Sequence, residues 1–448
     1  MPFTQDLGEK LKNLIPASHL TRGLTTLDAE IQPLKELLDQ RTIPQKGWTE
    51  TQVAALLELL AHMDTDKDPL ACRVGEREGR VANALVEKLC AGFCHGIGRS
   101  GEIAASQPKA PGGSILNMLT NRFATTILRK NGLPNVKKAI LLPLSTGMSL
   151  FLSLAACRYL RGGSEVVYPR VDHHSPLRGI AAAGYAVHVV DPIIVGDAVK
   201  SDIPSIQEAI TPETAAIVST TTFFPPREPD DVKGIAKIAA DLNVPHIINN
   251  AYGVQSPDIM QRVRSAIDAG RVDYVVQSTD KNFLTPVGGA IVAAPTKEGI
   301  EVLSHTYAGR GTIAPAVQFF AAMLSLGLNG YNQLIAQQRQ HRNLLETLLR
   351  DVATTYGERL LEVFNPIACG MTLSQPRGKI PKEIGGALYN LRVTGPRALD
   401  PRENSWGTCV EGYPTPYITM NAAIGASEQD ISGAVTALDR VLRENPPN

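Results

Sequence analysis

Short apolar runs and longer helical patterns alternate through the middle of the chain. Seven runs read as strands: Ala139 to Leu144, Glu165 to Tyr168, Ala186 to Val190, Ala215 to Ser219, His246 to Asn249, Val272 to Gln277 and Gly289 to Ala293. Runs of this length, mostly apolar and separated by helical segments, predict a mostly parallel sheet covered on both faces. Upstream, the chain up to about Lys46 reads as weakly amphipathic helices, and Thr49 with Gln52 forms a capping box opening a helix whose apolar face is Val53, Leu56, Leu57, Leu60 and Met63. Downstream, Pro315 to Leu328 and Gln333 to Thr354 read as long helices, followed by a smaller α+β portion ending in an amphipathic helix over Glu428 to Arg443. The expected division is a helical extension over 1–70, a large domain over 71–330, and a linker helix with a small domain over 331–448.

In such a sheet, ligands collect where strands end, and four strand ends carry chemistry. Lys281 follows the Val272 to Gln277 strand and precedes Gly288-Gly289. A lysine so placed suits the Schiff-base amine of a pyridoxal phosphate enzyme, although a loop lysine reaching to solvent has the same local sequence. Ser145-Thr146-Gly147 stands between a strand and a helix, where backbone N–H groups and hydroxyls bind a phosphate; a plain helix cap has the same composition. Asn250 closes the strand His246 to Asn249, where an amide facing a pyridine nitrogen would make a weaker electron sink than a carboxylate. His173 or His174, just after Glu165 to Tyr168, could lie flat on a cofactor ring or merely cap a helix.

Composition narrows the class further. The 448 residues carry 44 basic and 44 acidic side chains, so the bulk field favours no polyanion. Between Ala71 and Ile140, however, eleven basic residues face four acidic ones, either a solvated face or a site for phosphate or RNA. No apolar run reaches the roughly 18 residues of a membrane span, and the first residues do not resemble a signal peptide, so a cytoplasmic protein without a membrane partner is expected. The six cysteines are scattered, and Cys90, Cys94 and His95 lack a second ligand pair, so no metal site is expected.

Upstream of the sheet, glycines flank arginines and hydroxyls twice, in GEREGR over 75–80 and HGIGRSGEI over 95–103, followed by QPKAPGGS over 107–114. Together with STGMSL, NNAYGVQS, QSTDKNF and PVGGAI, in this order and spacing, they closely resemble the O-phosphoseryl-tRNA(Sec) selenium transferases from about Gly47 to about Asp430. The end of the chain is more similar to the archaeal branch. The resemblance implies a fold-type-I pyridoxal-phosphate-dependent transferase that eliminates phosphate from phosphoserine on tRNA(Sec) and adds selenium from selenophosphate. It implies that Lys281 carries the cofactor and that Asn250 faces the pyridine nitrogen. Arg99, Ser100, Gln107 and Arg310 would hold the substrate phosphate, Arg77 would reach the cofactor region, and Glu76 would repel free phosphoserine. It further implies a homotetramer, a dimer of dimers with sites between subunits, and a basic N-terminal region serving the tRNA. The arginine that reads the discriminator base in the animal enzymes has no counterpart in Ser405 to Pro414, and His173 stands where those enzymes have an amide. The alternatives are a β-elimination or replacement enzyme using a free amino acid or a sulfur donor, and a catalytically silent tRNA-binding relative.

Overall fold

The structure, a computed structural model, describes residues 2–446. Helices α1 (Pro2–Leu11) and α2 (Ala17–Gln40) form the N-terminal extension, and α3 (Glu50–Ala61) begins at the expected capping box. The Thr49 hydroxyl accepts from Gln52 N and the Gln52 amide oxygen accepts from Thr49 N at 3.0 Å, so two otherwise unpaired amides are satisfied. Val53, Leu56, Leu57 and Leu60 are buried as predicted. Met63 is not: the helix ends at Ala61, the chain turns, and the side chain is left half in solvent. The extension has no separate core, since Leu37 and Ile43 join the apolar cluster of the main sheet.

That sheet has seven strands: β1 (Lys138–Leu142), β2 (Glu165–Pro169), β3 (Ala186–Val190), and, after a two-stranded hairpin of β4 (Ile193–Val195) and β5 (Ala198–Lys200), β6 (Thr214–Thr220), β7 (His246–Asn249), β8 (Tyr274–Ser278) and β9 (Ala290–Ala294). Their spatial order is β1-β9-β8-β7-β6-β2-β3. All neighbours are parallel except β9, which runs against both β1 and β8. Every residue of β6 to β9 is buried, which requires cover on both faces and explains why the middle of each segment reads as apolar. Helix α4 (Ala84–Lys88) precedes the sheet in a loop-rich stretch; α5 (Pro111–Lys130) packs on β1, and α6 (Thr146–Cys157) packs on β7 and β8. Helix α7 (His174–Ala182) lies against α6.

The two long helices foreseen after Arg310 form one run, Ala314–Thr355, broken only at Gly327. Its second half carries the small domain, where β10 (Ala368–Thr372), β12 (Tyr417–Asn421) and β11 (Arg397–Leu399) form an antiparallel sheet in that order. Leu345, Leu349, Met371, Ile418 and Leu438 make its separate core. The last helix runs Glu428–Arg443, as its apolar spacing predicts. Among the described residues no helix is long and apolar enough to cross a membrane.

Candidate active site

A cavity of about 230 Å³ opens at the strand ends, and Lys281 lines it together with Ser145, Thr146, Gly147, His173 and Asn249. Lys281 sits in a short helix of Thr279–Phe283 directly after β8. Its Nζ lies 3.5 Å from Ser278 Oγ and 3.4 Å from Asp280 Oδ2, and about half of the side chain is exposed to the cavity and solvent. The amine is thus tethered by two weak polar contacts and free to form a covalent bond.

Ser145 is the N-cap of α6 but its hydroxyl caps no backbone amide, and the Thr146 hydroxyl is buried with no partner. A plain cap would have used these groups internally. Left open at the start of a twelve-residue helix, they are donors awaiting an anion.

The two histidines separate clearly. His173 lines the cavity, accepts from Ser175 N at its Nδ1 (3.3 Å), and meets the Phe223 ring edge-on with centroids 6.4 Å apart. Burial, then the charges of Lys281 and Arg397, hold its pKa below the usual imidazole value, so the ring is neutral at pH 7. His174 instead stacks on Trp406.

The strand-end amide requires a correction. Asn250 is fully buried but does not line the cavity: its Oδ1 accepts from Thr221 Oγ1 (2.6 Å) and its Nδ2 faces Met260 Sδ at 3.5 Å. The neighbour, Asn249, lines the cavity, and its buried Oδ1 has no partner. Successive strand residues point to opposite sides, so a one-residue error in locating the strand end exchanges the two amides. Tyr252 also lines the cavity with an unpartnered buried hydroxyl, as do Thr220 and Thr222, none of which the sequence pattern singled out.

These unpaired groups fit pyridoxal phosphate: hydroxyls at a helix start for its phosphate, an amide for its ring, a neutral imidazole, and an amine for its aldehyde. Native proteins rarely bury polar atoms without partners, and a cluster of them around one cavity marks a bound polar group. Asn249→Ala is expected to weaken retention of pyridoxal phosphate about fivefold, as one lost hydrogen bond of roughly 1 kcal/mol does. Asn250→Ala should leave retention nearly unchanged and cost roughly 1–3 kcal/mol of stability, because a fully buried side chain is removed and Thr221 Oγ1 keeps only its longer 3.3 Å bond to Asn249 O. Equilibrium dialysis and thermal melts of both variants check this, and equal effects on retention would contradict the assignment.

The arginine loop lies elsewhere. Ile97 and Gly311 exchange backbone hydrogen bonds (2.9 and 3.1 Å), and Arg99 pairs with Glu102 in a tight turn (2.9 and 3.0 Å). This approach needs glycine: at Gly96 a Cβ would lie 2.4 Å from Gly311 O, and at Gly98, with φ +72°, 2.6 Å from Ile103 Cα. The pairing brings Arg99, Ser100 and Arg310 to one edge, all exposed, and neither arginine has a side-chain acceptor among the described residues. Gln107 lies just before the helix α5, its backbone N donating to Ser114 Oγ (2.8 Å). None of Arg99, Ser100, Gln107 and Arg310 lines the cavity of the same chain.

Arg77 and Glu76 are exposed as well and also lie outside the cavity lining. Among the described residues Glu76 forms no ion pair; Arg80 bonds backbone carbonyls of the loop instead, and Glu78 pairs with Lys109, which holds its carboxyl below the usual range. Cys94 lies 3.8 Å from Lys67 Nζ and His95 Nε2 lies 3.2 Å from Asp66 Oδ1, and no cluster of metal ligands is found among the described residues.

Comparison with known proteins gives a consistent result. The sequence profile of the O-phosphoseryl-tRNA(Sec) selenium transferase family matches residues 63–443. The chain is 44% identical over 436 residues to the O-phosphoseryl-tRNA(Sec) selenium transferase of Methanopyrus kandleri, covering 96% of this chain and 99% of that protein. Identity to the Methanocaldococcus jannaschii protein of that name is 40% over 442 residues, covering 97% and 100%. The crystal structure of an archaeal O-phosphoseryl-tRNA(Sec) selenium transferase superposes with a TM-score of 0.92 at 39% identity, covering 96% of this chain and 98% of that one. A rice enzyme solved with pyridoxal phosphate and tryptamine shares the fold at 11% identity, with a TM-score of 0.60.

Proposed function

The chain belongs to the O-phosphoseryl-tRNA(Sec) selenium transferase family, and we propose that it converts O-phosphoseryl-tRNA(Sec) to selenocysteinyl-tRNA(Sec), using pyridoxal phosphate held at Lys281 and selenium from selenophosphate. The observation that carries this reading is the cavity itself, in which a free lysine amine faces a ring of buried polar atoms without partners.

Bound pyridoxal phosphate supplies an electron sink for the pair left at the substrate α-carbon. Ser145, Thr146 and Gly147 would hold the cofactor phosphate, Asn249 would serve the ring nitrogen, and neutral His173 would lie against the ring. An amide at the nitrogen stabilises positive charge less than a carboxylate does, so the ring withdraws fewer electrons. That suffices where a good leaving group departs from the β-carbon. Lys281, once free, removes the α-proton and later returns it. The phosphate departs with the electrons of the Cβ–O bond into donors from Arg99, Ser100, Gln107 and Arg310, whose charge stabilises the leaving group. Selenium of selenophosphate then forms the new bond at the β-carbon, Lys281 returns the proton to the α-carbon, and the Se–P bond breaks as water takes the phosphoryl group away as phosphate.

Because the arginine loop does not line the cavity of its own chain, we place the loop of one subunit over the cavity of another, in a close dimer that pairs into a tetramer. In that arrangement Arg77 reaches the cofactor region and Glu76 faces the substrate's carbonyl end. The basic N-terminal region serves the tRNA, and the protein works in the cytoplasm.

Among the described residues Glu76 has no ion pair to explain it, and an exposed carboxylate here would repel the α-carboxylate of free phosphoserine while tolerating the ester. At about 5 to 6 Å, such repulsion is worth roughly 1–3 kcal/mol, or about five- to hundredfold in relative affinity. Phosphate release should therefore occur from phosphoseryl-tRNA and not from free phosphoserine, and Glu76→Gln should admit the free amino acid with the tRNA-bound substrate little changed. An unchanged affinity ratio in the variant would remove the filter, and no phosphate release from phosphoseryl-tRNA would remove the function.

A further inference from the structure

Asp172 lies between two cavity residues, Val171 and His173, and is itself buried. Its Oδ2 accepts from the backbone amides of Gly407 (2.8 Å) and Cys409 (2.9 Å), while Oδ1 accepts from Arg170 Nε (2.9 Å). A buried carboxylate with this set of donors is a rigid anchor. It pins a small-domain segment, residues 405–410, to the rim of the Lys281 cavity.

Two side chains on this rim have more capacity than the fold uses. Trp406 remains 36% exposed although its ring stacks on His174, with centroids 4.7 Å apart and planes 22° from parallel. Arg397, from β11, lays its guanidinium over the rings of Phe224 (4.4 Å) and Phe223 (5.6 Å), both of which line the cavity. Gly407 permits this approach, since a Cβ there would come within 3.1 Å of Arg397 Nη2. Among the described residues Arg397 has no hydrogen-bond acceptor and no ion pair for its side chain, so its donors are open.

An exposed aromatic face beside an unpaired guanidinium is the combination that stacks a nucleobase and pairs with a phosphodiester. The reaction requires such a group at this place. The amino acid processed at Lys281 is an ester of a terminal ribose, so with the amino acid in the cavity the nucleoside must lie at its mouth.

We propose that Trp406, backed by His174, receives the 3′-terminal base of the tRNA and that Arg397 binds the adjoining phosphodiester. This rests on the tRNA-linked substrate assigned above. Free phosphoserine carries neither group, so the two residues add affinity only for the tRNA-bound form, independently of the charge on Glu76.

The test uses the full-length protein and uncharged tRNA(Sec), intact or lacking its terminal adenosine. The chain has two tryptophans, and Trp48→Phe leaves Trp406 as the reporter. Intact RNA should quench the Trp406 fluorescence and bind about tenfold more tightly than the shortened RNA, the scale of one stacked base. Trp406→Ala and Arg397→Gln should each remove most of that difference while affinity for the shortened RNA stays within about twofold, and Arg397→Lys should recover part of it. Absence of quenching at saturating RNA, or a terminal-adenosine effect that survives both substitutions, would overturn the proposal. Because no turnover is read, a protein that quenches without catalysing would keep this proposal and reject the assigned reaction.

Discussion

Lys281→Ala is expected to abolish both turnover and the visible absorbance of the bound cofactor. In the proposed reaction the amine holds pyridoxal phosphate covalently and moves the α-proton, and such a proton transfer alone accounts for roughly 10²–10⁴-fold in rate. The fold should survive the change. About half of the side chain is exposed, and its contacts to Ser278 and Asp280, at 3.5 and 3.4 Å, are weak. Exposed pairs of this kind are worth at most about 1 kcal/mol. Thermal melting should therefore stay near wild type while borohydride no longer attaches cofactor to the chain. An active Lys281→Ala variant with normal absorbance would remove this residue from the chemistry.

Arg99→Ala and Arg310→Ala are each expected to cost roughly 2–5 kcal/mol in transition-state terms, as loss of one partner of a charge-assisted contact does. That is about a thirtyfold loss of kcat/KM or more. The two arginines share an edge fixed by the Ile97–Gly311 pairing, and among the described residues neither side chain has an acceptor to distract it from a ligand. Their substitution should leave stability nearly unchanged. Rates within a few-fold of wild type, measured by phosphate release, would show that the phosphate is held elsewhere.

The elements read from the sequence came out where local physics decides them. The strands His246 to Asn249 and Ala186 to Val190 and the last helix, Glu428 to Arg443, have the bounds their patterns predicted. A buried strand such as His246–Asn249 is an apolar run whatever surrounds it, the mostly exposed edge strand Ala186–Val190 still carries three valines, and an amphipathic helix carries its own period. The hairpin Ile193–Lys200 was missed because its strands are three residues each, too short for a period to register.

At the site, Lys281, Ser145, Thr146, Gly147 and His173 were legible because each follows a strand end, where a parallel sheet gathers its ligands. Asn250 was chosen over Asn249 because a side chain's direction depends on where the strand leaves the sheet, which neighbouring identical residues cannot signal. Trp406 reaches the rim through the bonds of Gly407 and Cys409 to Asp172, and Arg397 through Phe223 and Phe224, contacts between residues far apart in the chain that no local pattern encodes. Arg77, Arg99, Ser100, Gln107 and Arg310 lie outside the cavity lining of their own chain, so their proposed roles depend on a second subunit, which no pattern within one sequence displays.

The reaction is tested most directly by following the aminoacyl group itself. Purified protein with pyridoxal phosphate is incubated with O-phosphoseryl-tRNA(Sec) and selenophosphate, and the amino acid is released from the RNA and identified by mass. The account predicts selenocysteine, formed only when cofactor, donor and tRNA-bound phosphoserine are all present and absent with Lys281→Ala. Recovery of unchanged phosphoserine from the complete mixture, or equal conversion of free phosphoserine, would contradict it.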